Sequence, residues 1–517
     1  MNLRLNPTYL MTFLFTLITL IFTSSCQKDN DLFVDAVNKN IEEQIIEDAS
    51  NSQNNDSGSD SDQPTGDGPL NMPDDPFSSN LKAFPTAFGA GAYVTGGRGK
   101  PVYKVTNLND SGPGSFRQAI SNARSTNGGI ITFDVSGVIN LQSWLTIEVS
   151  NLTIAGQTAP KGGITITGTR FRAQKLDNFI MRYIRIRPRY TGEDAFELID
   201  ASNVMLDHVS VSWGGDETIS IRGFSDNITF QRIIVSEGKT GSLFGDSDSP
   251  EKSENLSFLS SLFFNISHRT PNVSSNGRAD VINNVVQDWQ YRLTRTKGAV
   301  QLNHINNYYA MGDKTSLNTS ENAAVESGNP RIYTAGNFVD KGFLTDPNAD
   351  NWFLWKEFDS GIMDTPLSRQ YQVTSQYPLL GEPMPILSAI DAYYDVIGDV
   401  GCNKYISNNL SIENGSDTID NDYFIVLDGR KEGSFDYYKM DSNGETFTSE
   451  ARYVSFQSNI SSTPIASRPM NWDSDNDGMP DVWEIEKGLN PDLDDSSGDQ
   501  DGDGYTNIEE YLNIVDL

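Results

Sequence analysis

Two twelve-residue stretches near the end of the chain have the residue types and spacing of an oxygen-lined cation loop. In the first, Asp473, Asp475 and Asp477 precede Gly478, and Met479, Asp481 and Glu484 follow. In the second, 26 residues on, Asp499, Asp501 and Asp503 precede Gly504, and Tyr505, Asn507 and Glu510 follow. Carboxylates at alternate positions converge when a glycine at position six turns the loop; a backbone carbonyl at seven and a glutamate at twelve complete the shell. Calcium is therefore the expected cofactor. A short helix is expected after each loop, at 482–487 and 508–512, and none before it, so the expected role is structural.

These loops lie in one of two acidic ends. The chain has 517 residues, a formal charge of −32 and 37% hydrophobic residues, which excludes a multispanning membrane protein and argues against nucleic acid as a partner. Residues 27–80 hold 13 acids against 2 bases and residues 471–517 hold 15 against 1, so the ends carry −25 of that charge. Between them, 81–470 reads as a near-balanced globular body. Residues 9–22 form an apolar run of 14 residues, about 21 Å at ~1.5 Å per residue, too short for a ~30 Å bilayer core. With Thr23-Ser24-Ser25-Cys26 after it, the run resembles a bacterial lipoprotein signal. The expectation is a signal over 1–25, a lipid on Cys26, a disordered acidic tether over 26–80 and a place on the outer membrane facing the medium, with plain secretion as the alternative. Cys402 then has no partner and is expected as a buried apolar residue.

The body repeats. Short alternating strands start at Asn151, Asn178, Asn203, Asn227 and Asn255, at spacings of 27, 25, 24 and 28 residues, and continue at Asp280, Asn303 and Arg331. Strands at a 20–30 residue period, with almost no helical pattern between them, indicate an all-β solenoid, a parallel β-helix. The pairs Asn283-Asn284 and Asn306-Asn307 suit a stack of like side chains at one turn of such a helix.

Several segments resemble the pectate lyases of polysaccharide lyase family 1: Thr95-Gly96-Gly97-Arg98-Gly99, Gly114-Ser115-Phe116-Arg117-Gln118-Ala119-Ile120 and Ile154-Ala155-Gly156-Gln157-Thr158-Ala159-Pro160. The likeness covers about 85–403. It implies a right-handed parallel β-helix and cleavage of polygalacturonate by calcium-assisted β-elimination. Val204-Met205-Leu206-Asp207-His208 resembles the motif whose aspartate, here Asp207, binds catalytic calcium. Residues 238–245 resemble the strand with a substrate-binding lysine, here Lys239. His268-Arg269-Thr270-Pro271 resembles the Arg-x-Pro motif whose arginine, here Arg269, removes the C5 proton. Asp216 and Glu217 offer two further calcium carboxylates, although Ser220 stands where the family has a second aspartate. Ser274 stands in place of a second arginine, for which Arg278 is the candidate substitute.

Elimination requires a proton to leave C5, beside a carboxylate, while an oxygen leaves C4. A hard cation and a lysine would neutralise the charge that develops. An arginine base must be held neutral by burial and neighbouring cations, which implies an alkaline optimum; His268 is the rival base. Arg185, Arg187 and Arg189 alternate with Ile184 and Ile186 and share one strand face, either as solvated charges or as a groove for an anionic polysaccharide. Arg187, Arg278 and His268 are thus the expected substrate contacts. The C-terminal module, 471–517, resembles dockerin-like or thrombospondin-type calcium repeats. Expected partners are pectate or pectin, the membrane through Cys26 and other surface proteins of glycan utilisation. Two other readings are a metal-independent lyase for methylated pectin or another uronan, and a non-catalytic pectin-binding β-helix. Residues 404–470 receive no assignment from sequence.

Overall fold

The computed structural model describes residues 81–188, 192–312, 315, 322–340, 344–358, 365–428, 449–460 and 465–517, with the backbone alone at 449–451. The expected signal, Cys26, the tether and Arg189 lie outside these residues. Among the described residues no helix is long and apolar enough to cross a membrane.

The repeat is a parallel β-helix. A representative turn runs through strands Glu217–Arg222, Asp226–Gln231 and Ile234–Ser236. Each pairs in parallel with its counterpart one turn on, Thr240–Phe244, Leu256–Leu259 and Leu262–Phe264. One ladder shows the register: Ile228 pairs with Leu256, Leu256 with Ala279, Ala279 with Leu302 and Leu302 with Ile332.

The asparagines explain the period. Asn151, Asn178, Asn203, Asn227, Asn255, Asn283 and Asn306 all have φ between 47° and 64°, a left-handed bend that asparagine tolerates better than other non-glycine residues. Each one bends the chain at a corner, near a strand end or, at Asn178 and Asn203, within a long strand. The second asparagine of each pair builds the expected stack: Asn284, Asn307, Asn337 and Asn351 form a buried ladder, each Nδ2 donating to the next Oδ1 at 3.0, 2.9 and 2.8 Å. Backbone N–H groups of Asn284, Asn307 and Asn337 donate to the same oxygens, so the interior amides are satisfied.

Inward side chains also stack in like rows, with Phe171 against Phe196 and Phe230, Phe244 and Phe258 in mutual contact. Helix Phe116–Ser125, N-capped by Ser115, buries Phe116, Ala119, Ile120 and Ala123 against the first turns and covers apolar surface that an open solenoid end would expose.

Part of the unassigned 404–470 stretch has a structural role. Helix Thr418–Leu427 lays Ile419, Tyr423 and Leu427 on Trp213 and on Ile234, Leu262, Phe264 and Val285 of the nine-stranded sheet. This overturns the expectation for Arg187. Its side chain is wholly buried and donates to Asp417, Asp420 and Ser212 at 3.0, 2.9 and 2.9 Å. Arg185 is buried beside it, bonded to the Cys402 and Gly415 carbonyls. Strand alternation does put the pair on the outward face, but a later segment covers that face, so neither reaches solvent. Cys402 is buried and unpaired; burial pushes its thiol up to about 11.

The C-terminal loops also share a core with the solenoid. Met479, Trp483, Ile508, Tyr511, Leu512 and Val515 pack with Ile130, Ala155, Tyr183, Cys402 and Ile406.

Candidate active site

One face of the long sheet gathers charged side chains turn by turn. Glu217 pairs with Thr240, and Thr240 bridges to His268 one turn further. One turn before, Ala195 N donates to Glu217 O at 3.1 Å, which sets Asp194 beside Glu217. The face therefore runs from Asp194 through Asp216-Glu217 and Lys239 to His268-Arg269, and then to Arg292.

Ligand-capable oxygens of Asp194, Asp216 and Glu217 lie within 4.8 Å of one another. Ser220 Oγ donates to Asp194 and the Glu217 N–H donates to the same carboxylate. Burial and crowding by like charge raise the Asp194 carboxyl, and they raise Glu217 well above its usual range despite the Arg269 guanidinium bonded to it. Buried carboxylates that repel one another suit a divalent ion with oxygen ligands.

The opposite end of the row is cationic. Lys239 is exposed, whereas Arg269, Arg292 and Arg295 are buried. Burial, reinforced by Arg292, Arg269, Arg295 and Lys239, holds the His268 imidazole well below its usual value, so His268 is neutral near pH 7. Arg295 donates from Nε to Asn272 Oδ1 at 3.2 Å and pairs with Glu326 at 3.0 Å. The row thus offers a cation-binding end and a fixed positive end, an arrangement matched to an anionic substrate.

No family model matches the chain. It is 33% identical over 450 residues to "Probable pectate lyase C" of Aspergillus flavus, across 85% of this chain and 95% of that protein. The chain belongs to the pectate lyase family. The corresponding protein of Aspergillus terreus is 32% identical over 445 residues, 84% of this chain and 94% of its own. Among solved structures, Jun a 1, the major allergen from cedar pollen, aligns at 16% identity and a TM-score of 0.44, over 61% of this chain and 92% of its own.

Several expected site residues of the lyase lie elsewhere. Asp207 does not join the carboxylate cluster. It is fully buried, accepting from Arg182 Nε at 2.7 Å and Gln231 Nε2 at 2.8 Å, with His208 Nδ1 at 2.9 Å. It is held in an internal ion-pair network with Arg182, apart from the Asp194, Asp216 and Glu217 cluster. Arg278 begins a different strand, Arg278–Ile282, and its guanidinium bonds the Pro378 carbonyl; Arg292 and Arg295 supply positive charge instead. Asp194, Arg292 and Arg295 were missed, although the period marks them. Asp194 lies 23 residues before Glu217, and Arg295 lies 23 after Asn272.

The C-terminal loops form a second acidic region. Oxygens of Asp473, Asp475 and Asp477 group together, as do those of Asp477, Glu484 and Asp495. Asp473 Oδ1, Asp475 Oδ2, Asp477 Oδ2, both oxygens of Glu484 and Asp495 Oδ1 are buried with no hydrogen-bond donor. Two adjoining groups of such oxygens, sharing Asp477, fit a calcium ion. Asp495, between the two loops, lies outside the motif and was missed. Asp499, Asp501 and Asp503 cluster at the surface, and burial and Asp501 raise the nearby Glu510 carboxyl. Asp481 and Asn507 brace their loops, accepting from the N–H of Ser474 at 2.7 Å and Gln500 at 3.0 Å. Met479 and Tyr505 donate their N–H to Asp477 and Asp503, and each would offer its backbone carbonyl.

Proposed function

We propose that this lyase cleaves polygalacturonate by β-elimination, leaving a 4,5-unsaturated sugar at the new chain end, with calcium held by Asp194, Asp216 and Glu217. The observation that carries this is the one-turn register that aligns these carboxylates with Lys239 and Arg269 on one face of a chain in the pectate lyase family. When bound, calcium would neutralise a substrate carboxylate and stabilise the charge that develops beside C5. Lys239 adds positive charge on the same face. Arg269, once it has given up its bond to Glu217 and one proton to solvent, takes the proton from C5; the C–H electrons form the C4–C5 double bond as the C4–O bond breaks, and the departing oxygen takes a proton from water. His268 is neutral and adjacent, which keeps it as the alternative base.

Attachment to the outer membrane through a lipid on Cys26 belongs to the same proposal and rests on residues 9–26 alone. Loss of fatty-acid labelling in Cys26→Ser tests it.

The deciding experiment follows ultraviolet absorbance of the unsaturated product from polygalacturonate and methylated pectin. Cleavage of polygalacturonate that rises with calcium and collapses in Asp216→Asn supports the reading. Cleavage indifferent to calcium and to Asp216→Asn would favour a metal-independent lyase.

A further inference from the structure

The charged row continues in both directions. Backwards from Glu217, Ile219 pairs with Phe196, Phe196 with Phe171 and Phe171 with Leu145, next to Trp144. Forwards, Glu217 pairs with Thr240, Thr240 bridges to His268, and Tyr291 N donates to Ser267 O at 2.8 Å. Each path ends three turns from Glu217 on an exposed aromatic residue, Trp144 at 57% and Tyr291 at 43%.

Side chains join both aromatics to the row. The Arg170 guanidinium lies 5.3 Å from the Trp144 ring centre and pairs with Glu193 at 3.0 Å and with Glu197. The Tyr291 ring lies 6.3 Å from that of His268, edge on. The backbone at Trp144 is also held. Arg117 donates to the Trp144 and Ser143 carbonyls at 3.0 and 2.9 Å, and is itself tied to the Asp110 carboxylate at 2.8 Å and carbonyl at 3.1 Å. An isolated exposed aromatic needs no explanation, but one at each end of a charged strip does.

Flat indole and phenol faces stack on pyranose rings with little loss of side-chain freedom. Turns spaced about 4.8 Å apart make the strip roughly 29 Å long, close to one sugar unit per turn. We propose that Trp144 and Tyr291 are sugar-stacking platforms at the two ends of one extended uronan-binding strip, so that the lyase selects long chains over short ones. The uronan rests on the function proposed above.

The test compares kcat/KM on long polygalacturonate and on trigalacturonate for wild type, Trp144→Ala, Trp144→Phe and Tyr291→Ala. The long-to-short ratio is expected to fall about tenfold in Trp144→Ala, through KM on the long chain, to recover largely in Trp144→Phe, and to fall in Tyr291→Ala. A ratio within twofold of wild type in both alanine variants overturns the proposal. If wild type cleaves no uronan, the proposed function fails, and calorimetric binding of long polygalacturonate decides this one. Weaker binding by Trp144→Ala then supports the strip, and equal binding overturns it.

Discussion

Arg182 donates from Nε to Asp207 at 2.7 Å and from its terminal nitrogens to Asp516 at 3.0 and 2.6 Å, across 334 residues of sequence. All three side chains are buried, and the Phe84 ring lies 3.6 Å from the guanidinium carbon. One cation thus ties the C-terminal module to the interior of the solenoid wall. Arg182→Met would leave two carboxylates buried without their partner, a loss of roughly 3–5 kcal/mol. A urea titration should show the lower midpoint; an unchanged midpoint would mean that the link carries no stability.

His208 lies 2.9 Å from Asp207 and 3.2 Å from Asp399. Burial alone would lower its imidazole, but the two carboxylates outweigh burial and raise it, while Asp207 and Asp399 are held well below the usual carboxylate range. A raised histidine contributes stability that is complete below about pH 6.5 and lost as pH rises through its folded value. The lowered carboxyls contribute stability present above about pH 4 and lost as pH falls through theirs. With calcium saturating, the melting temperature should therefore be highest between about pH 4 and 6.5 and decline on the alkaline side. His208→Gln should flatten that alkaline decline, and an unaltered slope would assign it to other groups.

In the C-terminal cluster, burial and neighbouring carboxylates push Asp475 up to about 6, Asp477 to about 7 and Glu484 to about 8. Raised carboxyls destabilise the fold increasingly as pH rises from about 4 through those values. Without calcium, stability should fall over that range; with calcium bound, the slope should largely vanish, and binding at pH 7 should release protons. Calorimetry in two buffers of different ionisation enthalpy measures the release. Glu484→Gln should weaken binding and lower the melting temperature in calcium, because Trp483 beside it packs on the solenoid.

At the proposed active site, Asp216 is exposed, so Asp216→Asn should retain the melting temperature while kcat falls by about 10²–10³, the scale of losing one electrostatic stabiliser. Arg269→Lys should lower kcat by roughly 10²–10⁴ if the guanidine is the base. If His268→Gln produces that loss instead, the base is the histidine. Arg278→Ala should leave kcat/KM within about twofold, since its guanidinium is bonded to Pro378 at another edge of the turn.

The fold was legible because its repeat is local. Asparagine at each bend and apolar residues alternating after it are properties of neighbours in sequence, as at Asn227 and Ile228-Thr229-Phe230. The same period could have found Asp194 one turn before Glu217, because a solenoid converts sequence distance into stacking. Lys239 and Arg269 were legible through local motifs. Asp207 was misjudged because a motif records residue type and not place: the fold sets this carboxylate against Arg182 and Gln231, outside the cluster of Asp194, Asp216 and Glu217. Arg187 was misjudged because strand alternation gives the side of a sheet without saying what later covers it.

The amino-acid order alone determined the β-helix, the two acidic loops and which turns bear charge, because these follow from spacing along a regular backbone. Tertiary structure decided which charges meet. Asp495 joins Asp477 and Glu484, Asp516 reaches Arg182, and Asp417 and Asp420 neutralise Arg187. The Arg182 and Arg187 pairings unite distant segments, and burial makes them obligatory, since an unpaired charge in a low-dielectric interior is too costly to keep; the carboxylates of Asp477, Glu484 and Asp495 repel one another.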